Sequence, residues 1–172
     1  MSVFRVDIYC KYMLLAISAL CVSAMTLSIY VRSKPIELFL LGAACVLAVL
    51  VTLYTWSVKV WIGNGFLNKR TVFGCRKVEM VLINEISVIP LRGRYVFMML
   101  TSGSFLMLST MLESFPVLKG ILKSNIPEKV FASMENIGDD HIARKKTAMK
   151  LMLTVIFVLC VVVIFYIFKR QL

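Results

Sequence analysis

Three uncharged apolar blocks decide what this chain can fold into. Tyr12–Val31, Leu38–Trp56 and Leu151–Phe168 each run for 18 to 20 residues without an Asp, Glu, Lys or Arg. A hydrocarbon core about 30 Å thick is crossed by roughly 20 helical residues. Inside lipid, every backbone polar group has to be paired within its own segment, so each block reads as a spanning helix. A buried core helix is the alternative. Each block is apolar on every face, however, and the rest of a 172-residue chain is too small to enclose three such helices. A cleaved signal is the alternative for the first block, which follows Arg5 and Lys11. The block exceeds the usual apolar region of about 7–15 residues and no small-x-small site follows it, so a retained span is expected. Tyr12, Tyr30, Tyr54 and Trp56 stand at block ends, where amphipathic rings favour the membrane–water interface.

The same concentration shows in composition. The chain is 60% apolar and 17% charged, against roughly 45–50% and about 25% in soluble domains. Cations near the spans set the expected orientation. Arg5 and Lys11 precede the first span, and Arg32 and Lys34 lie between the first two. Arg144, Lys145, Lys146 and Lys150 precede the third, and Lys169 and Arg170 follow it. The balance places the N-terminus and the middle segment in the cytoplasm and the C-terminus outside. The five cysteines form no C-x-x-C pair, and Cys21, Cys45 and Cys160 fall inside spans, so they read as small apolar residues. The stretch from Ser57 to Thr147 holds 13 Lys and Arg against 7 Asp and Glu, a net +6. These charges are not interleaved with aromatics along one face, so a nucleic-acid partner is not expected.

At Ser57 the periodicity changes. Val58, Val60 and Ile62 alternate with Lys59 and Trp61, the period of a strand. Gly63-Asn64-Gly65 is a hairpin turn signal, and Phe66–Phe73 supplies the partner strand up to Gly74. Arg76–Val81, the apolar run Ile83–Ile89 stopped by Pro90, Tyr95–Thr101 and Ser104–Ser109 follow at short intervals, with turns at Arg92-Gly93 and Ser102-Gly103. This spacing predicts a small antiparallel sheet or barrel. Ser114 is expected to cap a helix ending by Asn125, with Phe115, Leu118, Ile121 and Leu122 on its apolar face and Lys119 and Lys123 on the other. Glu128–Asn136 is a second helical stretch. Strand alternation sends Met98 and Met99 to opposite faces, so half of Met98, Met99, Met107 and Met111 is expected in the core.

The order of features from about Val58 to Pro127 resembles a bacterial pleckstrin-homology-like (PH-like) domain. The resemblance lies in a strand followed by Asn64-Gly65-Phe66, basic residues before Ile83-x-x-Ile86-x-x-Ile89, a strand pair around Ser102-Gly103, and Ser114-Phe115-Pro116-x-Leu118-x-x-x-Leu122. It covers some 70 of the 172 residues. It implies a sheet closed by one helix, a bacterial inner-membrane protein, and contacts to protein more often than to inositol lipid. The expected fold class is therefore an α+β membrane protein: three transmembrane helices with an inserted small antiparallel sheet or barrel closed by one helix. The expected divisions are a tail and two-helix hairpin over 1–56, a PH-like domain over 57–136, a charged linker over 137–150, and a third transmembrane helix over 151–172.

Catalytic constellations are not expected. His141, the sole histidine, stands with Asp139 and Asp140 in a charged stretch that matches no metal-site spacing, so neither a metal nor a cofactor is expected. No G-x-S-x-G, H-E-x-x-H or Walker pattern is present. The spans lack internal ionisable residues, which weighs against a transporter or small membrane enzyme. One cluster is singled out: Lys69, Arg70, Arg76 and Lys77, bracketing Val72-Phe73-Gly74, face either lipid headgroups, a partner or solvent. The expected function is non-catalytic, with the PH-like domain contacting an unknown protein or another copy of the chain at the cytoplasmic membrane surface. Lipid-headgroup sensing is the alternative.

Overall fold

The computed structural model describes residues 2–30 and 34–169. Arg32 and Arg170, two of the cations used for orientation, and Val31, the end of the first block, lie outside the described residues. Among the described residues, three helices are long and apolar enough to cross a membrane: α1 (Ile8–Tyr30), α2 (Pro35–Ser57) and α5 (Asp139–Lys169). At about 1.5 Å per residue, the 23 residues of α1 and of α2 extend about 35 Å. α5 begins twelve residues before the apolar block it contains. The charged stretch expected as a linker over 137–150 is therefore helical from Asp139 onward.

The chain forms two compact units. One joins Ile8–Trp56 to α5 from Lys150 onward. Among the described residues, two sets of polar contacts join its helices. The Ser18 and Thr52 hydroxyls lie 2.8 Å apart between α1 and α2, and Thr52 also donates to the Ala48 carbonyl at 2.8 Å, so no proton is left unpaired in an apolar bundle. At one end, Tyr12 meets Trp56 edge-on at 6.2 Å, Lys11 lies 5.9 Å from the Trp56 ring and Lys150 5.2 Å from Tyr9, whose hydroxyl is 2.8 Å from that of Thr154. Rings and cations gathered in this way are the composition of an interfacial belt.

The other unit joins the N-terminal residues up to Asp7 to Ser57–Met149. Among the described residues its seven strands make two antiparallel sheets and no closed barrel. The first has the order β1 (Ser2–Arg5), β2 (Lys59–Gly63), β3 (Phe66–Thr71), β4 (Gly74–Glu79). The second is β5 (Glu85–Leu91), β6 (Arg94–Leu100), β7 (Phe105–Ser109). The β2–β3 turn has positive φ at both Asn64 (51°) and Gly65 (77°), the pairing that matches strand twist in a two-residue hairpin. β3 ends at Thr71, and Gly74 opens β4 rather than only breaking a strand. Pro90 does not stop β5; it pairs with Tyr95 because β5 is an edge strand, where a missing N–H costs no ladder bond. A single 3-10 turn, Met80–Leu82, joins the sheets.

The core takes Phe4, Val60, Leu67 and Val78 from the first sheet and Ile86, Phe97, Met99, Leu106 and Leu108 from the second. α3 (Phe115–Asn125) adds Phe115, Leu118 and Leu122, and Phe115 stacks on Phe97 at 5.4 Å. The core is not closed by one helix: α4 (Glu128–Glu135) adds Phe131 and Met134, and the start of α5 adds Ile142. Ser114 precedes α3 in a left-handed conformation, φ 54°, and its side chain makes no capping bond. Lys119 does not face solvent as its helical position predicts. Its ammonium donates to the Ile137 carbonyl at 2.8 Å and meets Asp139 at 3.3 Å, while Lys123 pairs with Glu135. Asp7 and Lys146 form an ion pair at 2.8 Å, and Lys145 donates to Leu91 at 2.9 Å. Together these bonds fasten β1 and residues 139–149 to the sheets. Of the four methionines, Met99 and Met111 are buried and Met107 is exposed.

Candidate functional site: a cationic sheet face

Strand register, rather than sequence proximity, assembles the site. Arg5 pairs with Lys59, Lys59 with Arg70 and Arg70 with Cys75, so one row crosses all four strands. Directly opposed residues share a face, and every second residue returns to it. Phe4, Val60, Leu67 and Val78 define the buried face, which puts Arg5, Lys59, Arg70 and Lys77 on the outer one. All four are exposed. Lys77 lies 3.7 Å from the Phe66 ring, a cation held against an aromatic face.

The expected quartet is thereby divided. Arg70 and Lys77 belong to the outer face, whereas Lys69 and Arg76, opposite each other across β3 and β4, continue the inner one beyond Leu67 and Val78. There they meet the second sheet. Lys69 donates to the Met107 carbonyl at 2.7 Å and Arg76 to the Phe105 carbonyl at 3.2 Å, with its guanidinium 4.7 Å from the Phe105 ring. β7 is an edge strand, and these cations occupy carbonyls that another strand would otherwise seek. Burial, and then the charges of Arg76 and Arg94, hold the Lys69 ammonium below the ordinary lysine range. A shallow cleft beside Arg76 and Lys77 is bordered by Gly103, Ser104 and Phe105.

Two members of the row, Arg5 and Lys59, escape a reading of the sequence. Arg5 is 54 residues from Lys59 and 65 from Arg70. Its signal lies in the alternation of Phe4-Arg5-Val6-Asp7, which is too short to distinguish from a tail. Between Arg70 and Cys75 the hairpin tip exposes Val72 by 57% and Phe73 by 90%. The Phe73 N–H donates to the Thr71 hydroxyl at 3.3 Å, and Gly74, φ 125°, reverses the chain in a conformation glycine supplies without strain. At the other end of the same sheet, where Met80 N–H donates to the Gly65 carbonyl at 3.0 Å, Val81 and Leu82 are exposed by 68% and 53%. Comparison with protein-family models, with curated proteins and with solved structures found no match to this chain.

Proposed function

We propose that this chain is a non-catalytic, multi-pass inner-membrane protein whose α+β unit, PH-like in its order of strands and helix, is held in the cytoplasm and engages anionic lipid headgroups. The observation that carries this reading is the outer face of the first sheet, with Arg5, Lys59, Arg70 and Lys77 exposed together. Each cation near an anionic surface contributes about 1 kcal/mol, and the attraction decays over a Debye length. In a chain already anchored by spanning helices, this interaction orients the unit rather than recruiting it.

The test uses the full chain in nanodiscs of neutral lipid or of neutral lipid mixed with phosphatidylglycerol. Amide exchange across β2–β4 is expected to slow in the anionic discs. The effect should fade at high salt and vanish when the four cations are replaced by Gln. Equal exchange in both discs at low salt removes the reading.

A second reading, self-assembly, draws on Val81 and Leu82, an exposed apolar pair at the opposite end of the sheet from Arg5, Lys59 and Arg70. If another copy covers them, Val81→Asp with Leu82→Asp shifts the purified chain to monomer. A monomeric native chain excludes it.

A further inference from the structure

We infer that the β3–β4 hairpin tip, Val72–Phe73, is a wedge that seats in the interfacial layer of an anionic bilayer. This rests on the headgroup reading and deepens it, by adding an apolar insertion to a surface attraction. A Phe side chain that is 90% exposed on a two-residue tip is unusual for a residue type that folding normally buries. Val72, 57% exposed, stands beside it.

Register gives the tip its direction. Thr71 and Gly74 are the last pair of the β3–β4 ladder, and the preceding residue, Arg70, pairs with Lys59. Lys59 follows the end of α2 by two positions, and Arg5, its other neighbour, precedes the start of α1 by three. Two residues span about 7 Å at most. The hairpin turn thus lies at the end of the strands from which the chain passes directly into two membrane-length helices.

The neighbouring charges select the occupant. Arg70 and Lys59 flank the tip on the outer face, while Lys69 and Arg76 are already engaged with β7 carbonyls. An exposed aromatic ring with exposed cations at its base fits a bilayer, where the ring enters the acyl boundary and the cations stay among phosphates. A protein partner would require a wider apolar footprint than two residues offer.

The experiment places p-benzoylphenylalanine at position 73 of the full chain in nanodiscs. The same replacement at Val81 serves as the exposed control at the far end of the sheet. On irradiation, acyl-chain adducts are expected several-fold more often at 73 than at 81. Comparable yields at the two positions overturn the wedge. Adducts at 73 in neutral discs, without slowed exchange in anionic ones, keep the wedge and remove the headgroup reading. Slowed exchange without adducts at 73 does the reverse. An independent measurement covers a folding failure of the labelled chain. Phe73→Asp should speed amide exchange at the tip several-fold while Phe73→Leu does not, with exchange at Phe97 in β6 unchanged in both as a report of intact packing. Native-like tip exchange in Phe73→Asp also overturns the proposal.

Discussion

Leu118 and Val117 are neighbours in α3 with opposite environments. Leu118 is fully buried against the sheets, whereas Val117 is 58% exposed. Leu118→Ala is expected to cost about 2–5 kcal/mol, from lost transfer energy and the cavity left behind. Val117→Ala should stay within about 0.5 kcal/mol of the native chain. Pulse proteolysis of the detergent-solubilised full chain measures both, and equal stabilities would show that α3 does not close the core. Lys69 supplies a pH prediction. Burial and neighbouring cations lower its pKa in the fold, so the unfolded chain keeps that proton more tightly. Stability contributed through this residue therefore rises with pH across the interval between the folded value and the ordinary lysine value of 10.5. The slope should flatten in Lys69→Met, and an unchanged slope would refute the assignment. The sequence placed Lys69 and Arg76 in a cationic group. It could not show that both turn inward, because facing depends on the parity of the strand pairing.

Among the elements, β1 has the largest consequence for its length. Its four residues complete a four-stranded sheet, and Phe4 is 4% exposed within the core. The Arg5 carbonyl accepts the Glu113 N–H, and Asp7 N–H donates to Met111 at 2.9 Å, so the segment is bonded on both sides. Phe4→Ala is expected to cost about 3–5 kcal/mol. A soluble fragment of residues 57–149 should be less stable than the same fragment with residues 2–7 supplied as a tethered strand. Identical urea midpoints for the two fragments would show that β1 is an ornament of the sheet. The two turn-rich strand pairs and α3 were legible because period-2 alternation, Asn64-Gly65 and Phe115–Leu122 spacing are local signals. β1 was not, since a four-residue strand has meaning only once its partner, over fifty positions away, is in place.

Each unit of the whole molecule is assembled from separated segments: the N-terminal strand with the middle of the chain, and the first two helices with the last. If the three membrane-length helices among the described residues all cross, the number of crossings is odd. Reporter fusions inserted at Ser102, in the exposed β6–β7 turn, and appended after the last residue should therefore report opposite compartments. The first is expected to be cytoplasmic by the weight of Arg144, Lys145, Lys146 and Lys150. Both reporters on one side would remove one span. Because the α+β unit needs residues on either side of α1 and α2, a fragment starting at Ser57 omits a strand, and one ending at Asn136 omits Ile142 from the core and Lys146 from its ion pair with Asp7.

The sequence by itself determined the three apolar helices, since segment length and the absence of charge fix that outcome in lipid whatever the rest of the chain does. It also determined the antiparallel hairpins, whose turns are written in adjacent residues. The tertiary structure alone decided that the strands divide into two sheets rather than closing, that the charged stretch before the third apolar block continues its helix, and that Arg5 and Lys59 stand beside Arg70. The physical reason is the same in each case. Turn and burial preferences act over a few residues, while a shared face, a row of charges and an edge bond are set by pairing between segments far apart in the chain.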